Sequence, residues 1–207
     1  GAAFVILQPP PGRPDEAQLI RFFGAVADAA PLPVAIQNAP EYLGVGLGID
    51  GLETLVRNHP NGTLLKGEGP AGLSRRTREA VGARLTVFNG RGGLELPDCL
   101  RAGCAGLIPA PECFDLQVRI FAAMARGDEV EAERLYAAIL PLIAFTMQGI
   151  DHFLCYGKRA LALRLGLPLD AVHDRAPAVA PTPFGLACVA RFVTALGPLP
   201  TTRQTIE

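Results

Sequence analysis

The chain contains only two lysines, Lys66 and Lys158. Lys66 closes the apolar run Thr63-Leu64-Leu65 and is followed at once by Gly67-Glu68-Gly69. An amine at the tip of a buried strand, beside a flexible loop, is a candidate nucleophile, because burial disfavours an ammonium relative to the neutral amine. The chemistry that suits it is Schiff-base formation with a carbonyl substrate. A lysine that merely emerges into solvent at a strand end has the same sequence, and both readings stand at this level. Glu68 follows two residues later, so a strand continuing past Lys66 turns both side chains to one face. The carboxylate is then either a general acid–base group or simply the lysine's ionic partner.

Other polar residues gather where apolar runs end: Gln8, then Gln37-Asn38, then Asn89-Gly90-Arg91. Caps and turns alone would favour Asp, Ser and Gly at such places. In α/β architectures the carboxyl ends of the strands are where ligands bind. The three histidines add little. His59 precedes Pro60 at a helix end, where it complements the dipole, and His152 and His173 fall in the helical tail and a linker. Asp151-His152, followed by Lys158-Arg159, reads as a solvated helix face, and Tyr136 and Phe145 as core packing. No His/Cys/Asp/Glu set has metal-ligand spacing, and there is no G-x-S-x-G or P-loop. The loop after the first strand, Gln8-Pro9-Pro10-Pro11-Gly12, lacks a dinucleotide fingerprint. No metal or cofactor is expected.

The elements that position these residues alternate. Strands are predicted at 3–7, 33–36, 63–66, 85–88 and 106–108, and helices between them at 15–29, 49–57, 74–81 and 94–102. Asp15 is the expected N-cap of the first helix and Ser74 a possible cap of the third. Helices then follow in succession at about 111–126, 128–148, 151–165 and 184–196, with Gly127-Asp128 as a stop and restart. The Pro- and Ala-rich segment 168–183 reads as a linker or wrap-around arm. Strands alternating with helices imply parallel pairing through crossovers. Continuous apolar runs fit a sheet covered on both faces. A doubly wound sheet and a partial (β/α)₈ barrel are both compatible with the pattern.

Bulk properties narrow the class. The 207 residues suit one domain, or one and a small appendage, and 49% are apolar, enough for a sizeable core. A net charge of −1, with Arg interspersed among Asp and Glu, points to neither nucleic acid nor an anionic membrane surface. Five cysteines, with no C-x-x-C pair, read as free thiols in a reducing cytoplasm. The charge-free stretch 135–150 contains Pro141 and is too short for a membrane span. No signal peptide is visible at Gly1-Ala2-Ala3-Phe4, and a strand pattern at the very start suggests a chain that begins inside a domain.

Several segments resemble one family in order and spacing. They are Gln8-Pro9 with Arg13-Pro14, Pro33-Val-Ala-Ile-Gln-Asn-Ala-Pro40, Leu64-Leu-Lys-Gly-Glu68, Val87-Phe-Asn-Gly90 and Gly103-Cys-Ala-Gly-Leu-Ile108. The family is that of dihydrodipicolinate synthase and N-acetylneuraminate lyase, and the similarity runs from Gly1 to about Leu167. The resemblance implies a (β/α)₈ TIM barrel with extra C-terminal helices, of which this chain would hold strands four to eight. Residues 1–126 would be the C-terminal part of the barrel and 127–207 the helical extension, with the first three strands absent. It implies a lyase acting on 2-oxo acids, with Lys66 as the Schiff-base lysine.

The family's usual tyrosine corresponds to Gln37, its tyrosines after strand four to Pro10 and Pro11, and the synthases' arginine to Tyr42. Gln37 together with Lys-x-Glu resembles the 2-keto-3-deoxy sugar-acid dehydratase branch. There the glutamate moves protons, a role carried to Glu68. Asn89, Gly90 and Ile108 match positions lining the pocket, and Gln37 and Asn38 are expected to bind the substrate, Gln37 by orienting it. The implied partner is a small 2-oxo acid, and a homo-oligomer is usual. Aldol or retro-aldol chemistry and a non-catalytic sugar-acid-binding relative are the alternatives.

Overall fold

The computed structural model describes residues 1–175 and 179–200; part of the expected 168–183 arm and the last residues lie outside these. Five strands form one parallel sheet in chain order: β1 (Val5–Leu7), β2 (Val34–Asn38), β3 (Gly62–Gly67), β4 (Thr86–Asn89) and β5 (Gly106–Leu107). Neighbouring strands are joined by right-sized crossovers through helices, as continuous parallel pairing demands. The helices are α1 (Glu16–Ala29), the short α2 (Pro40–Leu43), α3 (Ile49–Asn58), α4 (Ala71–Val81) and α5 (Leu96–Arg101). The tail is α6 (Phe114–Ala125), α7 (Glu129–Thr146), α8 (Ile150–Arg164) and α9 (Pro183–Leu196).

The chain divides into two compact units. The first is Gly1–Arg91 with Asp98–Ile108; the second is Gly92–Pro97 with the chain from Pro109 onward. In the first, one face of the sheet carries Ile36, Leu65 and Val87, which pack with Leu19 and Phe23 of α1, and Leu52, Leu55 and Val56 of α3. Full burial of a Leu or Phe is worth about 1.5–3 kcal/mol, so this layer fixes the strands. The period of two then turns Gln37 and Lys66 to the opposite face.

Local sequence explains most element ends. Asp15 caps α1 in a capping box with Gln18, as expected. At the other end of α1, the Asn61 amide donates to the carbonyls of Ala27, Ala30 and Leu32 at 3.0 Å. These are backbone acceptors that a helix end leaves open. His59 caps α3, pairs with Asp28 at 2.9 Å and lies directly over Gly24, where a side chain would collide with its ring. Helix α4 begins earlier than the Ser74 cap would place it. Pro70 starts it, accepting from Leu73 N and Ser74 N, and Ser74 is buried within its first turns. Proline suits a helix start because its φ is preset and it has no N–H to leave unsatisfied.

In the second unit, Gly127 is left-handed (φ 76°) and Asp128 caps α7 through Glu131 N, which is the stop and restart that the sequence announces. Helix α7 runs through Pro141, held by the buried Ile139, Leu142 and Ile143. The expected solvated face of α8 holds for Asp151 and Lys158, which are exposed, and is corrected for Arg159 and His152. Arg159 is only 6% exposed and donates to Asp174 at 2.7 Å, and the His152 ring meets Phe145 edge-on and Tyr156 at a tilt, at centroid distances of 4.8 and 4.6 Å. The chain after α8 folds back to deliver Asp174, a long-range contact that a helical-face reading does not contain. Among the described residues, no helix is long and apolar enough to cross a membrane.

Candidate active site

Strand register brings the polar cluster together. Gln37 is paired with Lys66, and Lys66 with Phe88, across β2, β3 and β4. The Lys66 Nζ lies 2.7 Å from Glu68 Oε1, and the Gln37 Nε2 donates to the same Oε1 at 2.7 Å. Gln8, just beyond β1, donates its amide to Gln37 Oε1 at 3.1 Å. The result is an ordered row, Gln8 to Gln37 to Glu68, with the lysine closing on the carboxylate. Glu68 N donates to Asn38 O at 2.9 Å, so strand-like pairing continues past β3 and keeps Glu68 on the face of Lys66.

The amine is half-buried rather than sealed: the Lys66 side chain is 20% exposed and that of Glu68 11%. A strand tip cannot enclose an amine as a strand centre can.

The remaining expected site residues separate into two groups. The Asn38 side chain does not join the cluster. It donates to Leu47 O at 2.9 Å and accepts from Leu47 N at 2.8 Å, clamping the segment after β2. The Asn89 side chain is buried and donates to Gly69 O at 3.2 Å and Gly67 O at 3.4 Å, holding the backbone on both sides of Glu68. Both amides are engaged with main chain. Gly90 N donates to Gly67 O at 3.1 Å and Ile108 N to Asn89 O at 2.9 Å, so these two residues continue the ladder at the strand tips. Lys66, Glu68 and Gln37 are thus brought together, while Asn38 and Asn89 brace the strands that carry them. Gln8 was visible as a polar strand end, and its register opposite Gln37 is what admits it.

A cavity of about 30 Å³ touches the back of Glu68, lined by Asn38, Leu52, Leu65, Ser74 and Thr77. It is far smaller than the roughly 300 Å³ a ligand pocket needs, so this cavity is not itself a ligand pocket. A cavity of about 420 Å³ in the second unit lies beside Arg164, Val193 and Leu199, but its guanidinium is engaged by Asp115 at 2.6 and 2.8 Å. Among the described residues, no group of His, Cys, Asp or Glu could hold a metal ion.

The profile of the Dihydrodipicolinate synthetase family matches residues 1–179. This chain belongs to that family. Among curated proteins it is 31% identical over 177 residues to the 4-hydroxy-tetrahydrodipicolinate synthase of Methanosphaerula palustris, covering 80% of this chain and 59% of that protein. It is 32% identical over 189 residues to 4-hydroxy-tetrahydrodipicolinate synthase 2 of Streptomyces coelicolor, covering 86% of this chain and 58% of that one. The chain therefore spans less than two thirds of the length of these relatives. Among solved structures it is similar to a prophage protein of the dihydrodipicolinic acid synthase family from E. coli K12, determined in complex with pyruvate. The TM-score is 0.83 at 24% identity, covering 95% of this chain and 67% of that one. The 4-hydroxy-tetrahydrodipicolinate synthase from Methylacidiphilum fumariolicum SolV gives a TM-score of 0.82 at 24% identity over 94% of this chain and 64% of that one. Both likenesses concern the fold: an α/β chain with a parallel sheet, like the barrel proteins of this family.

Proposed function

We propose that the chain carries the imine-forming site of a lysine Schiff-base lyase for 2-oxo acids, within strands four to eight of the family's barrel. The observation that supports this best is the 2.7 Å contact of Lys66 Nζ with Glu68 Oε1, on the sheet face opposite the helix-packed core and beside Gln37. Lys66, once its ammonium has given a proton to solvent, attacks the C2 carbonyl as the free amine. The carbinolamine hydroxyl takes up a proton from solvent and leaves as water, while the nitrogen lone pair forms the C=N bond of a protonated imine. The imine draws electrons from C3, so Glu68 can remove a C3 proton and form the enamine. With a 2-keto-3-deoxy sugar acid, the enamine expels the C4 hydroxyl, which leaves as water with the proton from Glu68, and hydrolysis of the imine frees Lys66. Acid–base help of this kind is worth roughly 10²–10⁴ in rate.

Gln37 has no proton to transfer at neutral pH, so it orients the carboxylate and the substrate. Asn38, Asn89, Gly90 and Ile108 border the site at the strand tips. The relatives' name, 4-hydroxy-tetrahydrodipicolinate synthase, favours carbon–carbon bond chemistry on the same imine as a second reading. The working form is then a homo-oligomer in the cytoplasm, where the free cysteines are stable.

The test is borohydride reduction in the presence of pyruvate, followed by peptide mass mapping. A pyruvyl adduct on Lys66 is expected; an unmodified Lys66 overturns the proposal. Glu68→Gln is expected to form the imine still but to stall proton removal at C3. Loss of water without carbon–carbon cleavage identifies the dehydratase, and cleavage or condensation the aldol-type reading.

A further inference from the structure

Glu68 can hold its position only because nothing occupies the space beside Gly90. A Cβ built on Gly90 would lie 2.4 Å from Glu68 Cγ, 2.9 Å from Cδ and 3.1 Å from Oε1. Real Cβ atoms do not approach other carbons this closely. The obstructed atom, Cγ, is the root of the carboxylate rather than its free end, so a small swing of the tip does not relieve the collision. Gly90 does not have a positive φ, so alanine meets no backbone strain there; the requirement is for room. The room is held in place from both sides, because Gly90 N donates to Gly67 O at 3.1 Å and the buried Asn89 amide reaches the carbonyls of Gly67 and Gly69. The backbone flanking Glu68 is tied to the backbone that makes space for its side chain.

We infer that Gly90 is a positioning residue, whose missing side chain keeps the Glu68 carboxylate against Lys66 Nζ and the Gln37 amide. This rests on the reading of Glu68 as the group that moves the C3 proton. Any side chain at position 90 drives Glu68 to another rotamer and parts it from both partners. Lys66 remains on β3, so imine formation persists while proton removal fails.

Two measurements test this. In Gly90→Ala, borohydride trapping of pyruvate on Lys66 falls far less than proton exchange does. Exchange of pyruvate methyl protons with deuterated water falls by roughly a hundredfold, the cost of about 1 Å of misplacement. Equal loss of trapping and exchange overturns the inference. The second measurement is a thermal double-mutant cycle with Glu68→Ala, which needs no catalysis. Gly90→Ala lowers the midpoint in the wild-type background and leaves it nearly unchanged when Glu68 is already alanine. Additive effects overturn the inference even if the single variant folds poorly. Absence of trapping in the wild type defeats the lyase reading alone, because the cycle still reports whether position 90 accommodates Glu68.

Discussion

Two ion pairs of nearly equal length have opposite characters. In the first unit Lys66 meets Glu68 at 2.7 Å at a strand tip, with the side chains 20% and 11% exposed. In the second, Arg164 meets Asp115 at 2.6 and 2.8 Å, with the guanidinium 1% exposed. Arg164 also donates to Glu112 O at 2.8 Å and Gly197 O at 2.9 Å, so its planar fork binds the start of α6, the end of α8 and the chain after α9. That pair is geometrically complete and holds helices together. The lysine pair has one shared oxygen, a neutral amide beside it and a partly exposed amine. In the proposed reaction the lysine pair breaks and re-forms, which a pair that holds the fold could not do.

Four substitutions sharpen this contrast, from the largest effect to the smallest. Lys66→Met removes pyruvate trapping entirely and costs less unfolding free energy than Arg164→Met, because Lys66 is 20% exposed and Glu68 keeps the Gln37 amide as a partner. Parallel trapping and urea titration check both halves. Arg164→Met leaves Asp115 charged and uncompensated and lowers unfolding free energy by about 3–5 kcal/mol; a shift of the urea midpoint measures it. The third concerns Glu112, 2% exposed, whose carboxyl burial pushes above the ordinary glutamate range. A raised carboxyl opposes folding once pH exceeds its unfolded value. Stability therefore declines as pH rises above about 4.3. Glu112→Gln flattens that decline, so thermal midpoints of the two proteins converge near pH 4 and separate, variant higher, toward neutrality.

The smallest effect is at Asp174. The Arg159 and Lys158 side chains that bind it hold its carboxyl down at about 2. A depressed carboxyl adds stability above its unfolded value and loses it as pH falls through the folded one. Asp174→Asn removes that contribution, and the difference between the two proteins vanishes between about pH 4 and pH 2. Thermal midpoints measured in acid check this.

The same division explains what was legible beforehand. The strand of Lys66, the Asp15 cap and the Gly127-Asp128 restart were readable because each depends on neighbours within a few residues. The start of α4 was misplaced because Ser74 is buried by packing, and the cap position belongs to Pro70. The amides at the strand ends carried one signal but have two uses. Gln37 turns to Glu68, while Asn38 and Asn89 turn to backbone carbonyls and amides. Periodicity gives the face of a side chain within a strand and cannot give its partner on the next. Arg159 looked like a surface charge because Asp174, its partner, arrives from beyond the end of α8.

The order of residues alone determined the alternation of strands and helices, the family motifs and the spacing that puts an amine two residues from a carboxylate. Those are short-range facts, written in periodicity and in residue types at strand ends. Tertiary structure decided that Gln37, from a different strand, shares Glu68 with Lys66, that Gly90 leaves the space for it, and that Arg164 rather than a surface residue joins the helices. Those contacts depend on register between distant segments, which is set by burial of the whole core and by no single stretch of chain.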